Sequence, residues 1–184
     1  MSVLTRTSRA SASRRSSLAS ELRQLDIELL KSARTLAHTR ARERSVARLS
    51  ELGEHAAIWL AIGTGASLLA TGSQSRRWRA ATGVVAGAYA LNSAIKVAVG
   101  RARPELPDLP PLVRTPTRLT FPSAHATTSF AAARAYSRLG LPAPPLYALA
   151  ASLAASRLYL GVHYPSDVLA GVALGSALGA LAPR

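Results

Sequence analysis

The sequence predicts an all-α fold, a polytopic membrane helical bundle of about five transmembrane helices preceded by an N-terminal amphipathic helix, and three observations lead there. Apolar segments run over residues 55–70, 80–99, 122–136, 146–162 and 164–181. From His55 onward the only acidic residues are Glu105, Asp108 and Asp167 and the only lysine is Lys96. A lipid solvent imposes such depletion, because an unpaired charge at bilayer depth costs at least ~2.5 kcal/mol. The segments are also rich in Ala and Gly, with Gly83 and Gly87 in the second and Gly171, Gly175 and Gly179 at every fourth position of the last, on one helical face. Small residues in that pattern suit closely packed membrane helices. Several segments fall short of the ~20 residues that cross a bilayer comfortably. The competing reading, a soluble Ala-rich bundle, would need a charged outer face that these segments do not supply.

At 184 residues the chain holds one domain of ordinary size plus a terminal extension, so a single site is expected. Cysteine is absent, which excludes a disulfide framework, cysteine-rich zinc sites and thiol catalysis. The formal charge of +14 points to nucleic acid, an anionic membrane surface or a phosphorylated substrate. Its distribution around apolar segments favours the last two, and no nucleic-acid partner is expected.

Residues 1–20, rich in Ser, Arg and Ala and free of acid, read as a disordered basic arm, solvated or in contact with anionic lipid headgroups. Residues 21–54 read as an interfacial unit. Leu22, Leu25, Ile27, Leu29, Leu30 and Leu36 recur with a roughly helical period, and a basic linker with Arg40, Arg42, Arg44 and Arg48 follows. Residues 55–184 form the membrane-embedded domain. Its connectors are short except residues 100–121, which carry five prolines and four arginines. A loop of that length in a compact domain tends to be functional.

Chemistry-bearing residues gather where the predicted helices end on one side. The second apolar helix leaves with Lys96 and is followed by Arg103-Pro104; the third enters with Pro122-Ser123-Ala124-His125. The fourth leaves with Ser156-Arg157, and the fifth enters with His163 and Asp167. A hairpin topology brings these together. Lys96, Arg103 and Arg157 suit an anionic phosphate ester, Arg as a planar fork and Lys as a point charge, and can neutralise charge in its transition state. Pro122 and Pro165 sit where a first-turn proline opens a helix, so the backbone N–H groups of Ser123 and Ala124 are expected to face the same anion. His163 lies four residues before Asp167, a helical turn that sets the carboxylate beside one ring nitrogen and aims the other, making His163 the expected nucleophile. Taken singly, each of these residues has a plainer role as an interfacial anchor or structural group.

The three clusters closely resemble the three signature motifs of the type 2 phosphatidic-acid phosphatase superfamily, in order and in spacing, over residues 91–184. The first is Lys96, six residues, then Arg103-Pro104. The second is Pro122-Ser123-Ala124-His125. The third is Ser156-Arg157, five residues, His163, three residues, Asp167. Ala124 stands where the family usually has glycine; it keeps the N–H but narrows the permitted dihedrals. The resemblance implies a membrane lipid phosphatase in which His163 forms a phosphohistidine, His125 protonates the leaving oxygen and Asp167 fixes the tautomer of His163. The two imidazoles then need different protonation states. No metal and no cofactor are expected, since three acids and three histidines in the domain do not furnish a two-metal phosphatase.

Small size and a compact core resemble the family's bacterial polyprenyl-linked members, among them phosphatases of decaprenylphosphoryl-5-phosphoribose. The alternative substrates are isoprenoid diphosphates and phosphatidylglycerophosphate. From other classes come a non-catalytic basic membrane protein, which would not need His125, His163 and Asp167 together, and a soluble vanadate-dependent haloperoxidase. His38 and His55 belong to no cluster and read as structural; Arg134 and Arg138 read as anchors of the third helix, and Tyr159 and Tyr164 as lipid contacts or braces. Basic residues bias the site toward the cytoplasm of a bacterial-type cell membrane. Arg40, Arg42, Arg44, Arg48, Arg101, Arg103, Arg114 and Arg118 lie on its side, against Arg76, Arg77, Arg79, Arg138 and Arg184.

Overall fold

The fold was read from a computed structural model that describes residues 3–36 and 38–183, with side chains from residue 17 onward except residue 19. Residues 1–2 of the N-terminal arm, and Arg184, lie outside the described residues. Within them the chain forms seven α-helices and no strand, only an isolated antiparallel bridge between Ala102 and Leu119. The helices are α1 (Val3–Thr35), α2 (Arg40–Leu52), α3 (Ala57–Leu69), α4 (Gly72–Val99), α5 (Ala124–Ser137), α6 (Ala143–Tyr159) and α7 (Pro165–Gly179), with one 3-10 turn at Glu54–Ala56.

The five apolar segments correspond to α3 through α7. Among the described residues one helix, α4, is long and apolar enough to cross a membrane by length and composition. The other four have 13, 14, 17 and 15 residues, short of the ~20 that span a bilayer without help.

The N-terminus differs from the sequence expectation. Residues 3–20 are not a separate disordered arm but continue into residues 21–35 as the single helix α1. Neither Gly nor Pro interrupts that stretch, and Ala, Arg and Leu propagate a helix well. Asp26, Leu30 and Arg34 form its buried face, while Leu18, Leu22, Leu25 and Leu29 are exposed.

Helix α5 is the hub. It packs on α3, α4, α6 and α7, and apart from Ala124, Phe130, Arg134 and Ser137 every one of its residues is buried. Small residues permit this. A Cβ added at Gly171, Gly175 or Gly179 would stand 2.7, 2.1 and 2.5 Å from the carbonyl oxygens of Ser123, Thr127 and Ala131, so α7 lies backbone to backbone along α5. Gly83 and Gly87, grouped with them in sequence, face open space instead. The interior is polar for so apolar a chain: Trp59 Nε1 donates to Ser129 Oγ at 2.8 Å, Tyr136 OH to the Trp59 carbonyl at 2.9 Å, and Thr127 Oγ1 to Asn92 Oδ1 at 2.9 Å. Large apolar side chains such as Leu68, Leu69, Val97, Leu169 and Leu181 point outward.

Two local features aim the chain at one end of the bundle. Gly100, with φ +65°, ends α4 and donates its N–H to the Lys96 carbonyl at 3.1 Å, turning the chain into the long loop. At the α2–α3 junction His55 and Ala56 both adopt left-handed dihedrals, φ +50° and +60°, a strained elbow for residues with a Cβ.

Candidate active site

The C-terminal ends of α4 and α6, the N-terminal end of α5, the segment before α7, the 100–121 loop and the 3-10 turn at Glu54–Ala56 surround a cavity of about 160 Å³. Lys96, Arg103, Ala124, His125, Arg157 and His163 line it, together with Glu54, His55, Tyr89 and Thr117.

His163 precedes α7 rather than lying in it. The four-residue spacing to Asp167 therefore works differently from the helical turn expected. Pro165 opens the helix as its first residue, and Asp167, in the first turn, folds back so that Oδ2 accepts the N–H of the N-cap Tyr164 at 2.8 Å. That leaves Oδ2 3.5 Å from His163 Nδ1. Thr120 bridges the gap: its Oγ1 lies 2.9 Å from Nδ1 and donates to Oδ2 at 2.6 Å. With the Thr120 hydroxyl hydrogen given to the carboxylate, its oxygen can only accept from the ring, so Nδ1 carries the proton and Nε2 keeps its lone pair. Nε2 is 3.3 Å from Arg103 Nη1. Burial, seconded by the Arg103, Arg157 and Lys96 charges and opposed by the Asp167 hydrogen bond, lowers the His163 pKa to about 3, so the ring is neutral at ordinary pH.

The cations are held by backbone oxygens. Arg103 Nη1 donates to the Val162 carbonyl at 2.6 Å and Nε to that of Thr117 at 2.8 Å. Lys96 Nζ donates to the Thr120 carbonyl at 3.1 Å and the Leu119 carbonyl at 3.4 Å. Arg157 is buried; Nη1 donates to Ser50 Oγ, and Nε has no partner among the described residues. His125 Nε2 donates to the Ser50 carbonyl at 2.9 Å, leaving Nδ1 for an incoming group. The approach is close enough that a Cβ on Gly53 would stand 2.7 Å from His125 Cδ2.

The second motif departs from expectation at Pro122 and at Ser123, and meets it at Ala124. Pro122 lies before the N-cap Ser123 and not in the first turn of α5. The Ser123 N–H is not free for an anion, because it donates to the Asp167 carbonyl at 3.0 Å, while its buried Oγ has no partner among the described residues. Ala124 opens α5 without a positive φ, so replacing glycine there demands no left-handed backbone, and its position lines the cavity.

Among residues read as structural, His38 stacks on Tyr159 at 4.1 Å and meets Glu43 Oε1 at 3.3 Å, away from the cavity. His55 lines the cavity mouth beside Tyr89, at 5.9 Å between ring centroids, and so belongs to the site that sequence spacing excluded it from. Arg138 Nη1 donates to the Ala180 carbonyl at 2.6 Å and ties α5 to the end of α7; Arg134 is exposed. Tyr164 braces Arg101, whose guanidinium sits 4.1 Å over its ring. The sequence reading missed Ser50, Thr120 and the ion pair of Arg101 with Asp167, 2.9 Å from Nη1 to Oδ1. Among the described residues no group of three His, Asp or Glu side chains converges as metal ligands would.

A helical bundle with a histidine oriented by hydrogen bonds at one end, facing Lys and Arg donors, defines a class, and the chain belongs to it: residues 77–184 match the PAP2 superfamily. The chain is similar to the decaprenylphosphoryl-5-phosphoribose phosphatase of Mycolicibacterium smegmatis, 48% identical over 127 residues and 67% of each chain. It is 44% identical over 134 residues to the protein of the same name from Mycobacterium tuberculosis, covering 72% of this chain and 74% of that one. In fold it resembles a transmembrane PAP2-type phosphatidylglycerolphosphate phosphatase from Bacillus subtilis, with TM-score 0.74, 22% identity, and 88% of this chain and 84% of that one covered.

Proposed function

We propose that this PAP2-family phosphatase hydrolyses the phosphate monoester of a polyprenyl-linked substrate of the decaprenylphosphoryl-5-phosphoribose type, through a phosphohistidine on His163. One observation carries the chemistry: Nδ1 of His163 is engaged by Thr120 and Asp167 while Nε2 is left neutral in a cavity lined by three cations. Nε2 attacks phosphorus, the bond from phosphorus to the ester oxygen breaks, and His125, which takes up a proton at Nδ1 as the anionic phosphate binds beside it, delivers that proton to the oxygen as the alcohol leaves. Water then attacks the phosphohistidine and gives its proton to His125; phosphate departs and His163 is neutral again. Lys96, Arg103 and Arg157, with the Ala124 N–H, take up the charge on the phosphoryl oxygens, a task that needs no metal.

The substrate class rests on the two mycobacterial relatives, which share 44–48% identity with this chain. We read α3 through α7 as embedded in a bacterial cell membrane. Outward leucines and inward Ser, Thr and Asn side chains support this, because lipid inverts the usual distribution. The shorter helices then require local thinning of the bilayer or flanking side chains that reach its surface. The basic segments around α1 and α2 are assigned to anionic headgroups and the site to the cytoplasmic side.

The test is a substrate panel on detergent-purified protein. Decaprenylphosphoryl-5-phosphoribose, a farnesyl diphosphate and phosphatidylglycerophosphate are assayed side by side with wild type and His163→Ala. We expect the highest kcat/KM on the first substrate and no turnover of any by the variant. Equal or better turnover of either competitor would overturn the substrate assignment, and an active variant would overturn the mechanism.

A further inference from the structure

Asp26 lies on α1, outside the residues that match the family, yet it is the far end of a chain of hydrogen bonds that reaches the nucleophile. Its Oδ1 accepts the Ser166 N–H at 2.9 Å, and its Oδ2 accepts Arg101 Nη2 at 2.8 Å as well as the Ser166 hydroxyl. Arg101 Nη1 in turn donates to Ser166 Oγ at 2.7 Å and to Asp167 Oδ1 at 2.9 Å. Both oxygens of the Asp167 carboxylate are thereby fixed. Oδ1 belongs to Arg101, and Oδ2 receives Thr120 Oγ1 and the Tyr164 N–H. A carboxylate held at one oxygen can pivot, and any pivot of Asp167 would swing Oδ2 away from Thr120 and free the hydroxyl to donate to His163 Nδ1 instead. That would reverse the tautomer and place the proton on Nε2, the nitrogen that must attack.

We propose that Asp26 and Arg101 are positioning residues for phosphoryl transfer: Asp26 holds the Arg101 fork, Arg101 holds Asp167 Oδ1, and Asp167 thereby keeps Thr120 and His163 in the one hydrogen-bond order that leaves Nε2 nucleophilic. Arginine is required because one planar group must reach two carboxylates with different nitrogens. The Tyr164 ring lies under the guanidinium, and the side chains of Asp26 and Arg101 are 10% and 28% exposed, so the pair meets water mainly on the arginine side. α1 also has attachments independent of this chain, with Arg34 donating to the Tyr159 and Pro110 carbonyls at 3.0 and 2.8 Å, so it need not detach when Asp26 is changed.

This inference rests on His163 as nucleophile, and the experiment separates the two. The full chain in detergent is assayed with p-nitrophenyl phosphate, and kcat, KM and thermal midpoint are measured for wild type, Asp26→Asn, Arg101→Gln and Arg101→Lys. The first two are measured again in an Asp167→Asn background. We expect each single change to lower kcat by roughly tenfold, the scale of coupling between contacting groups, with KM within about threefold of wild type. In the Asp167→Asn background we expect neither Asp26→Asn nor Arg101→Gln to lower kcat further. Arg101→Lys, which keeps the charge and loses the fork, should resemble Arg101→Gln and serves if Asp26→Asn does not fold. Unchanged kcat in the single variants, or the same factor lost in both backgrounds, would overturn the proposal, since a part that merely docks α1 would lower the thermal midpoint without acting through Asp167. Full activity of His163→Ala would instead remove the reading on which it rests.

Discussion

The bundle holds the end that carries the candidate site in two contrasting ways. Between α5 and α7 the contact is backbone on backbone, with three glycines against three carbonyls and only the Cβ atoms of Ala126 and Arg134 beside them. Between α1 and the same end the contact is made by long charged side chains, Asp26 and Arg34, reaching loop and helix N-terminus. The first kind of contact fixes distance and tolerates no added atom. The second fixes direction, through hydrogen bonds whose donors must be oriented. The seam holds α7 at backbone contact with α5; of the charged attachments, that of Asp26 through Arg101 reaches the Asp167 carboxylate.

The largest effect should come from breaking the seam. Gly175→Ala puts a Cβ 2.1 Å from the Thr127 carbonyl oxygen, and the helices must part or the chain misfolds. We expect a loss of about 3 kcal/mol or more, read as a collapse of the thermal midpoint in detergent. Next come the cations, which should affect rate and leave the seam alone: Lys96→Gln, Arg103→Gln or Arg157→Gln should each lower kcat/KM roughly 10²-fold with the fold intact. If an arginine variant lost stability on the scale of Gly175→Ala, the division between distance and direction would fail.

A pH series sharpens the comparison at His163. Its pKa is lowered to about 3 by burial first and by neighbouring cations second, so the neutral form that the proposed attack requires is present above that value and is lost as pH falls through it. The kcat/KM profile should accordingly show no acidic limb from this group between about pH 5 and 7, since that ratio reports the free enzyme. The same sign holds for stability. An unfolded histidine titrates near about 6.5, so the His163 contribution is complete above that pH and declines as pH falls from there toward 3. Replacement by Gln should flatten the fall of the thermal midpoint over that range. The smallest effect is Gly87→Ala on the open face of α4: with nothing within 4 Å of the added Cβ, the gain should be about 0.5–1 kcal/mol of helix stability. A loss there would mean that this face is covered in the membrane.

Much of the architecture was legible because its causes are local. Depletion of charge and runs of small apolar residues marked α3 through α7, and the three motifs marked the helix ends that meet. What was not legible depends on contacts across the fold. Thr120 is one threonine in a proline-rich loop, and nothing in its neighbourhood announces that its hydroxyl stands between His163 and Asp167. Ser50 sits in a charged, exposed-looking helix whose only buried residue it is. Arg101 was counted as a loop cation because its partners, Asp26 and Asp167, lie on two different helices far apart in sequence. Residues 3–20 show the opposite case: low hydrophobicity argues for disorder, while the lack of Gly and Pro allows the helix that forms.

Ser50 also bears on how such a site changes over generations of sequence drift. It serves the site with two atoms of different heritability: its hydroxyl meets Arg157, and its main-chain carbonyl meets His125. Any residue other than a helix breaker at position 50 carries the carbonyl, but only a few carry a hydroxyl. Substitution there therefore takes the hydroxyl from Arg157, and its longer 3.5 Å contact from His125 Nε2, while the main-chain carbonyl keeps its hold on His125. A saturation library at position 50 would show that separation as a kcat/KM that falls in every variant without a hydroxyl and a thermal midpoint that stays near wild type.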